Sequence, residues 1–190
     1  MRFSERVEQL VHSPIGAAHA LVGLRTNDRP LLDLSQAAPS FPPADAVVER
    51  IAEVAREPDT GRYPPQPGLP QLREAFASDL SSGYAADISP EAVLITAGCN
   101  QAFCCVASAL TNPGDEAILV APFYFNHDMW LKIEGVEVRH LEPAANLVPD
   151  PERAEALVTG KTRLITLVSP GNPTGVTIPK EIIHDFAELA

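Results

Sequence analysis

Between residues 92 and 141 short apolar runs alternate with helix-patterned segments, and this alternation constrains the chain more than any other feature. AVLIT has the length and aliphatic content of a strand, CNQAFCCVASAL the spacing of a helix, and NPGD the chemistry of a turn. EAILVA, FNHDMWLKIEG and VEVRHL then repeat the strand, helix, strand order. A β-α-β-α-β series is the signature of a parallel sheet, because parallel neighbours need a helical crossover between them. The expected class is α/β, in three α/β/α layers with a mostly parallel sheet.

The flanking segments extend this pattern. Residues 3 to 12 and 43 to 57 show helical spacing, and the second places Val47, Val48, Ile51 and Val54 on one face. Both are expected to be amphipathic surface helices. LLDLS is a short strand candidate that runs into QAAPSFPP, where three prolines remove backbone donors and leave an extended loop. A second proline-rich stretch, RYPPQPGLP, precedes LPQLREAFASDL, in which Leu72, Phe76 and Leu80 recur on one helical face and Arg73 is expected to make a structural ion pair. Beyond residue 150 come a helix over PERAEALVTG, a strand over RLITLVS, the loop PGNPTG and a helix from about Pro179. EIIHDFAELA carries no stop signal, so the α/β unit is expected to be unfinished.

Composition excludes several classes. With 14 basic against 25 acidic residues the net charge is -11, which argues against a nucleic-acid partner. No apolar run approaches the length of a membrane span, and MRFSERVEQL lacks the basic and apolar regions of a signal peptide, so no membrane partner and a cytoplasmic location are expected. Cys99, Cys104 and Cys105 form neither a disulfide framework nor a zinc pattern, and the five histidines show no ligand spacing, so no metal is expected.

Three junctions carry candidate chemistry. In ITAGCNQAF, Gly98 permits a tight turn into a helix starting near Asn100, which aims N–H groups at an anion; many α/β proteins have such a turn without binding phosphate. In PFYFNH, Tyr124 follows the strand EAILVA at the sheet edge, where a flat ring could stack on a flat ligand, or the aromatic cluster could simply pack a loop; His127 is the one histidine near this place. In SPGNPTG, prolines stiffen a loop in which Asn172 offers an amide able to donate and accept, against the plainer reading of a structural turn.

In order and spacing, LDLSQAAPSFPP, YPPQPGLPQLREA, ITAGCNQA, NPGDEAILVAPFY and SPGNPTG resemble the class I and II aminotransferases, the aspartate aminotransferase-like pyridoxal-phosphate enzymes, from about residue 30 onward. The resemblance implies part of the large domain of the pyridoxal-phosphate-dependent transferase fold, with residues 1–40 an N-terminal arm and small-domain segment and residues 41–190 the N-terminal part of that large domain. It implies pyridoxal 5'-phosphate as cofactor, with the backbone N–H groups of Cys99 and Asn100 on its phosphate and Gly98 making the turn. Tyr124 would stack on the pyridine ring and Asn172 would bond the ring hydroxyl close to the substrate carboxylate. Tyr63 would reach the phosphate of a neighbouring subunit, which implies a homodimer. Ala37 stands where the family has a glycine beside the substrate carboxylate, and its methyl narrows the site.

The same resemblance puts the imine-forming lysine, the ring-nitrogen aspartate and the carboxylate-clamping arginine beyond Ala190, so no catalytic residue is expected within a chain expected to be truncated. Lys132, Lys161 and Lys180 do not match the family's lysine spacing, and Asp185 lies within the last helix instead of at a strand end. The implied activity of the intact enzyme is transfer of an amino group between an amino acid and a 2-oxo acid. Related chemistry on the same cofactor, a lyase or synthase, stays open, as does a non-catalytic remnant or interaction subunit. A dinucleotide fold is disfavoured because TAGCNQ replaces G-x-G-x-x-G after AVLIT.

Overall fold

The computed structural model describes residues 2–8, 10, 13–34, 36 and 39–190. These gather into two compact units, residues 15–96 and residues 1–14 with 97–190. In chain order the helices before residue 97 are α1 (Glu5–Glu8), α2 (Pro14–Val22), α3 (Asp45–Val54) and α4 (Pro70–Tyr84).

In the unit of residues 15–96, α4 starts on Pro70, whose missing N–H costs nothing in the first turn. Its buried residue is Ala77, while Leu72 and Phe76, expected to face a core, stay about half exposed. The Arg73 guanidinium donates to the carbonyl oxygen of Val93 at 2.9 Å and to that of Pro90, so its structural role runs through backbone carbonyls and not the expected ion pair. Val47, Val48 and Ile51 of α3 share a face as expected, and all three are exposed.

Two expected strands do not form. Leu31, Leu32 and Leu34 of LLDLS are exposed and carry no ladder, and residues 93–96 of AVLIT are extended but belong to no sheet. Ile95 donates one backbone bond to Pro67 at 2.9 Å, and a single bond is not a ladder. Apolar content suits a segment to a strand, but only a paired neighbour makes it one. Of the expected helix over residues 3 to 12, Glu5–Glu8 form the short α1, and Gln9, Val11 and His12 lie outside the described residues. Arg6 of α1 donates to the Ile133 carbonyl at 2.8 Å.

The other unit holds α5 (Cys99–Leu110), β1 (Glu116–Val120), α6 (Phe125–Glu134), β2 (Glu137–Leu141), α7 (Pro151–Glu155), β3 (Thr162–Thr166) and α8 (Lys180–Leu189). The strands form a parallel sheet in the order β2-β1-β3. Successive side chains of a strand face opposite ways. Accordingly Ala117 and Leu119 of β1 meet Ala107 of α5 and Leu131 of α6 on one face. Ile118 meets Ala154 of α7 and Phe186 of α8 on the other. This is the expected three-layer α/β/α arrangement. The helix expected over PERAEALVTG stops early at Glu155; it is capped by Asp150, whose carboxylate accepts from the N–H groups of Glu152 and Arg153.

Glu116, the first residue of β1, ties that strand to both of its neighbours. Its buried carboxylate accepts from the Arg139 guanidinium of β2 at 2.7 Å and from the Thr159 hydroxyl, just before β3, at 2.7 Å. These two hydrogen bonds, the arginine's first, hold the carboxyl below the usual glutamate range. A carboxyl with a depressed folded pKa adds stability above its unfolded value, about 4.3 for glutamate, and loses it as pH falls through the folded value. Glu116→Gln is therefore expected to lower the urea midpoint at neutral pH, followed by the fluorescence of the single tryptophan, Trp130. The gap to the parent should close on acidification below about pH 4; a gap that ignores pH would mean the carboxylate's charge contributes nothing.

Candidate functional site

β1 and β3 are neighbours in the sheet, yet the chain leaves β1 for α6 on one face and β3 for α8 on the other. Adjacent strands whose connections part in this way open a crevice at their carboxyl ends. A cavity of about 400 Å³ lies there, walled chiefly by Gly98, Cys99, Asn100, Tyr124, His127 and Asn172. Five residues singled out from sequence thus share one cavity although they come from three separate segments.

The α5 side of the cavity is a helix start. Gly98 is its cap residue at φ 82° and ψ 170° and, as a glycine, brings no side chain to the first turn. The Gln101 amide oxygen turns back to accept from the Ala97 N–H at 2.6 Å, which holds the turn closed. First-turn N–H groups such as those of Cys99 and Asn100 have no partner within a helix, and with the helix dipole they favour an anion.

The β1 side is aromatic. The loop after β1 is anchored by the Ala121 N–H, which donates to the Leu141 carbonyl at 2.9 Å, and by Phe123, which stacks on His140 with ring centres 4.8 Å apart. Tyr124 is half-buried, edge-on to Phe125 at 5.2 Å and to His127 at 5.4 Å. Its hydroxyl accepts from the Asn126 amide at 2.8 Å and the Asn100 amide at 3.3 Å. His127 in turn stacks on Phe103 at 4.0 Å, and burial pushes its pKa down, so the imidazole is neutral at neutral pH.

The β3 side is the SPGNPTG loop, closed on itself by Gly171 N–H to the Val176 carbonyl at 2.8 Å and Gly175 N–H to the Gly171 carbonyl at 2.7 Å. The Ser169 hydroxyl accepts from the Ile178 N–H at 3.0 Å, which fixes the loop's far end. Asn172 is exposed on this rigid support and lines the cavity.

The remaining expected site residues do not enter this picture. Tyr63 belongs to the unit of residues 15–96 and is fully exposed, and Ala37 lies outside the described residues. No lysine lines the cavity: Lys132 pairs with Asp128 at 2.7 Å, and Lys161 and Lys180 are exposed. Sequence reasoning missed Asn126 and Gln101, whose contacts are side-chain hydrogen bonds that no periodicity announces. Among the described residues no cluster of His, Cys, Asp and Glu could hold a metal ion, and no helix is long and apolar enough to cross a membrane.

The sequence model of the family described as aminotransferase class I and II matches residues 29–190. The chain belongs to the class I and II aminotransferases. It is 33% identical to the aspartate/prephenate aminotransferase of Thermus thermophilus over 191 residues, which cover 98% of this chain and 49% of that one. It is 34% identical over 180 residues to a probable aspartate aminotransferase of Streptomyces griseus, covering 92% of this chain and 83% of the relative. The solved structure of Thermus thermophilus aspartate aminotransferase with maleate superposes with a TM-score of 0.90 at 31% identity, over all of this chain and 50% of the other. The chain spans about half the length of most of the curated aminotransferases it matches.

Gly98 has nothing within 4 Å of where a Cβ would sit, so an alanine there meets no clash, only a backbone region open almost solely to glycine. Gly98→Ala in this aminotransferase chain is expected to cost about 1–3 kcal/mol in urea unfolding. An unchanged midpoint would mean the turn relaxes freely.

Proposed function

We propose that this chain carries the cofactor-holding part of a pyridoxal-phosphate-dependent aminotransferase, which moves an amino group between an amino acid and a 2-oxo acid. The observation that carries the proposal is the single cavity in which a glycine-started helix, an aromatic ring and an amide from three segments converge at the carboxyl ends of β1 and β3. Its volume of about 400 Å³ suits a small flat cofactor, within the range of about 300–1,000 Å³ common for ligand sites. The donor set also fits: N–H groups at the start of α5 for a phosphate, the Tyr124 ring for a heteroaromatic face and the Asn172 amide for a ring hydroxyl.

In this reading Cys99 acts through its backbone, and Gly98 supplies the turn that brings that backbone to the anion. Tyr124 sets the plane of the cofactor ring, and Asn172 holds the ring's polar edge beside the substrate. Ala37 would border the substrate. Tyr63, fully exposed, would extend to the phosphate bound by a second copy in a homodimer. When bound, pyridoxal phosphate supplies a reactive carbonyl and an electron-withdrawing ring. The amine that would engage the carbonyl is not Lys132, Lys161 or Lys180, none of which lines the cavity; we assign it to residues outside these 190. The division at residues 40 and 41 between arm and large domain belongs to the same proposal.

The test is titration of the purified chain with pyridoxal 5'-phosphate, with absorption spectra before and after borohydride and mapping of any lysine adduct. Saturable binding without a lysine adduct is expected, with Tyr124→Ala weakening it about fivefold. An adduct at one of the three lysines would overturn the assignment of the amine, and failure to bind would remove the cofactor reading.

A further inference from the structure

Tyr124 is held at both ends, and the stronger hold on its outer end comes from Asn126, a residue that no part of the proposed cofactor chemistry requires. Its ring is flanked edge-on by Phe125 and His127, contacts that limit rotation about the side chain's first torsion. Its hydroxyl is met by two amides, each from the second residue of a helix: Asn100 in α5 and Asn126 in α6. The Asn126 bond is the stronger, at 2.8 Å and half-buried, against 3.3 Å and exposed for Asn100. Asn126 itself does not line the cavity.

We infer that Asn126 is a positioning residue: by donating to the Tyr124 hydroxyl it fixes the tilt of the ring before any ligand enters, and so raises affinity for flat aromatic ligands. The inference rests on the proposed cofactor reading and deepens it. A stacking surface contributes most when its orientation is already set, because otherwise binding bears the cost of ordering it. The N–H groups at the start of α5 belong to another segment, so a phosphate carrying no ring should be indifferent to Asn126. Asn100 makes a similar bond, but its backbone belongs to the proposed phosphate site, which leaves Asn126 as the position where the effect on the ring can be isolated.

The experiment measures affinity for pyridoxine 5'-phosphate, which has the ring and phosphate but no aldehyde, and for inorganic phosphate, in the full chain and in Asn126→Ala, Tyr124→Phe and the double variant. Thermal melts establish that each variant is folded. Asn126→Ala is expected to weaken pyridoxine 5'-phosphate about three- to tenfold, as loss of one hydrogen bond would, Tyr124→Phe, which also loses the longer Asn100 bond, at least as much, and both to leave phosphate binding unchanged. The double variant should be no weaker than Tyr124→Phe alone, since removal of the hydroxyl already removes the Asn126 bond together with the weaker Asn100 bond. Additive losses, or equal losses for inorganic phosphate, would overturn the inference. Binding of phosphate but not of pyridoxine 5'-phosphate by the parent would instead defeat the cofactor reading. In that case the bond is still read from the Asn126 side-chain amide signals of the ligand-free protein by NMR: they move on Tyr124→Phe if the bond is made, and an unmoved signal overturns it.

Discussion

Two consecutive residues of β1, Ile118 and Leu119, are at most 1% exposed, and because they point to opposite sides of the sheet each needs its own covering layer. Burying such a side chain contributes about 1.5–3 kcal/mol, which no half-covered sheet could collect on both faces. The three-layer arrangement follows from this. β1 can be the middle strand only if the crossovers to β2 and β3 run in opposite directions, and crossovers of one hand then put α6 and α7 on opposite faces. The crevice at the carboxyl ends of β1 and β3 is a geometric by-product of covering both faces of one strand.

The two ends of β1 are treated differently. At the amino end Glu116 closes the sheet with charge, through Arg139 and Thr159. At the carboxyl end the chain opens into the cavity, and order is kept by rings and amides: Phe123 on His140, His127 on Phe103, and Asn100 and Asn126 on the Tyr124 hydroxyl. A rigid lower edge and a supported upper edge let the loops of the crevice hold a fixed shape although they lie at the surface.

Most of this unit was legible in the sequence because its signals are local. Helical spacing, with Gly98 before α5 and Gly135 after α6, marked those two helices, and a short apolar run between turn residues marked β1. LLDLS and AVLIT carry the same strand signal and failed, since pairing depends on a neighbour that composition does not encode. The convergence of Gly98, Tyr124 and Asn172 was legible only through the family's motif order; strand order, which brings the loops after β1 and β3 together, is set by packing across 50 residues of chain. The contact between Asn126 and Tyr124 was not legible at all, because residues two apart do not face each other along a helix, and these two meet only at a loop-to-helix corner.

The character of the cavity wall bears on how a catalytic cycle could be divided along such a chain. In the proposed reading its anion donors are backbone N–H groups, which have no proton to lose near neutral pH, while burial pushes the His127 pKa down. On that reading such donors would hold a phosphate without giving up a proton of their own. Groups that shuttle protons or form covalent bonds need perturbed, accessible acids, bases or amines, and the three lysines are engaged elsewhere or exposed to solvent away from the cavity. In the proposed reading, holding and reacting are separable: the part built on β1 and α5 would supply a fixed cradle, and the reactive amine would come from a different stretch of chain.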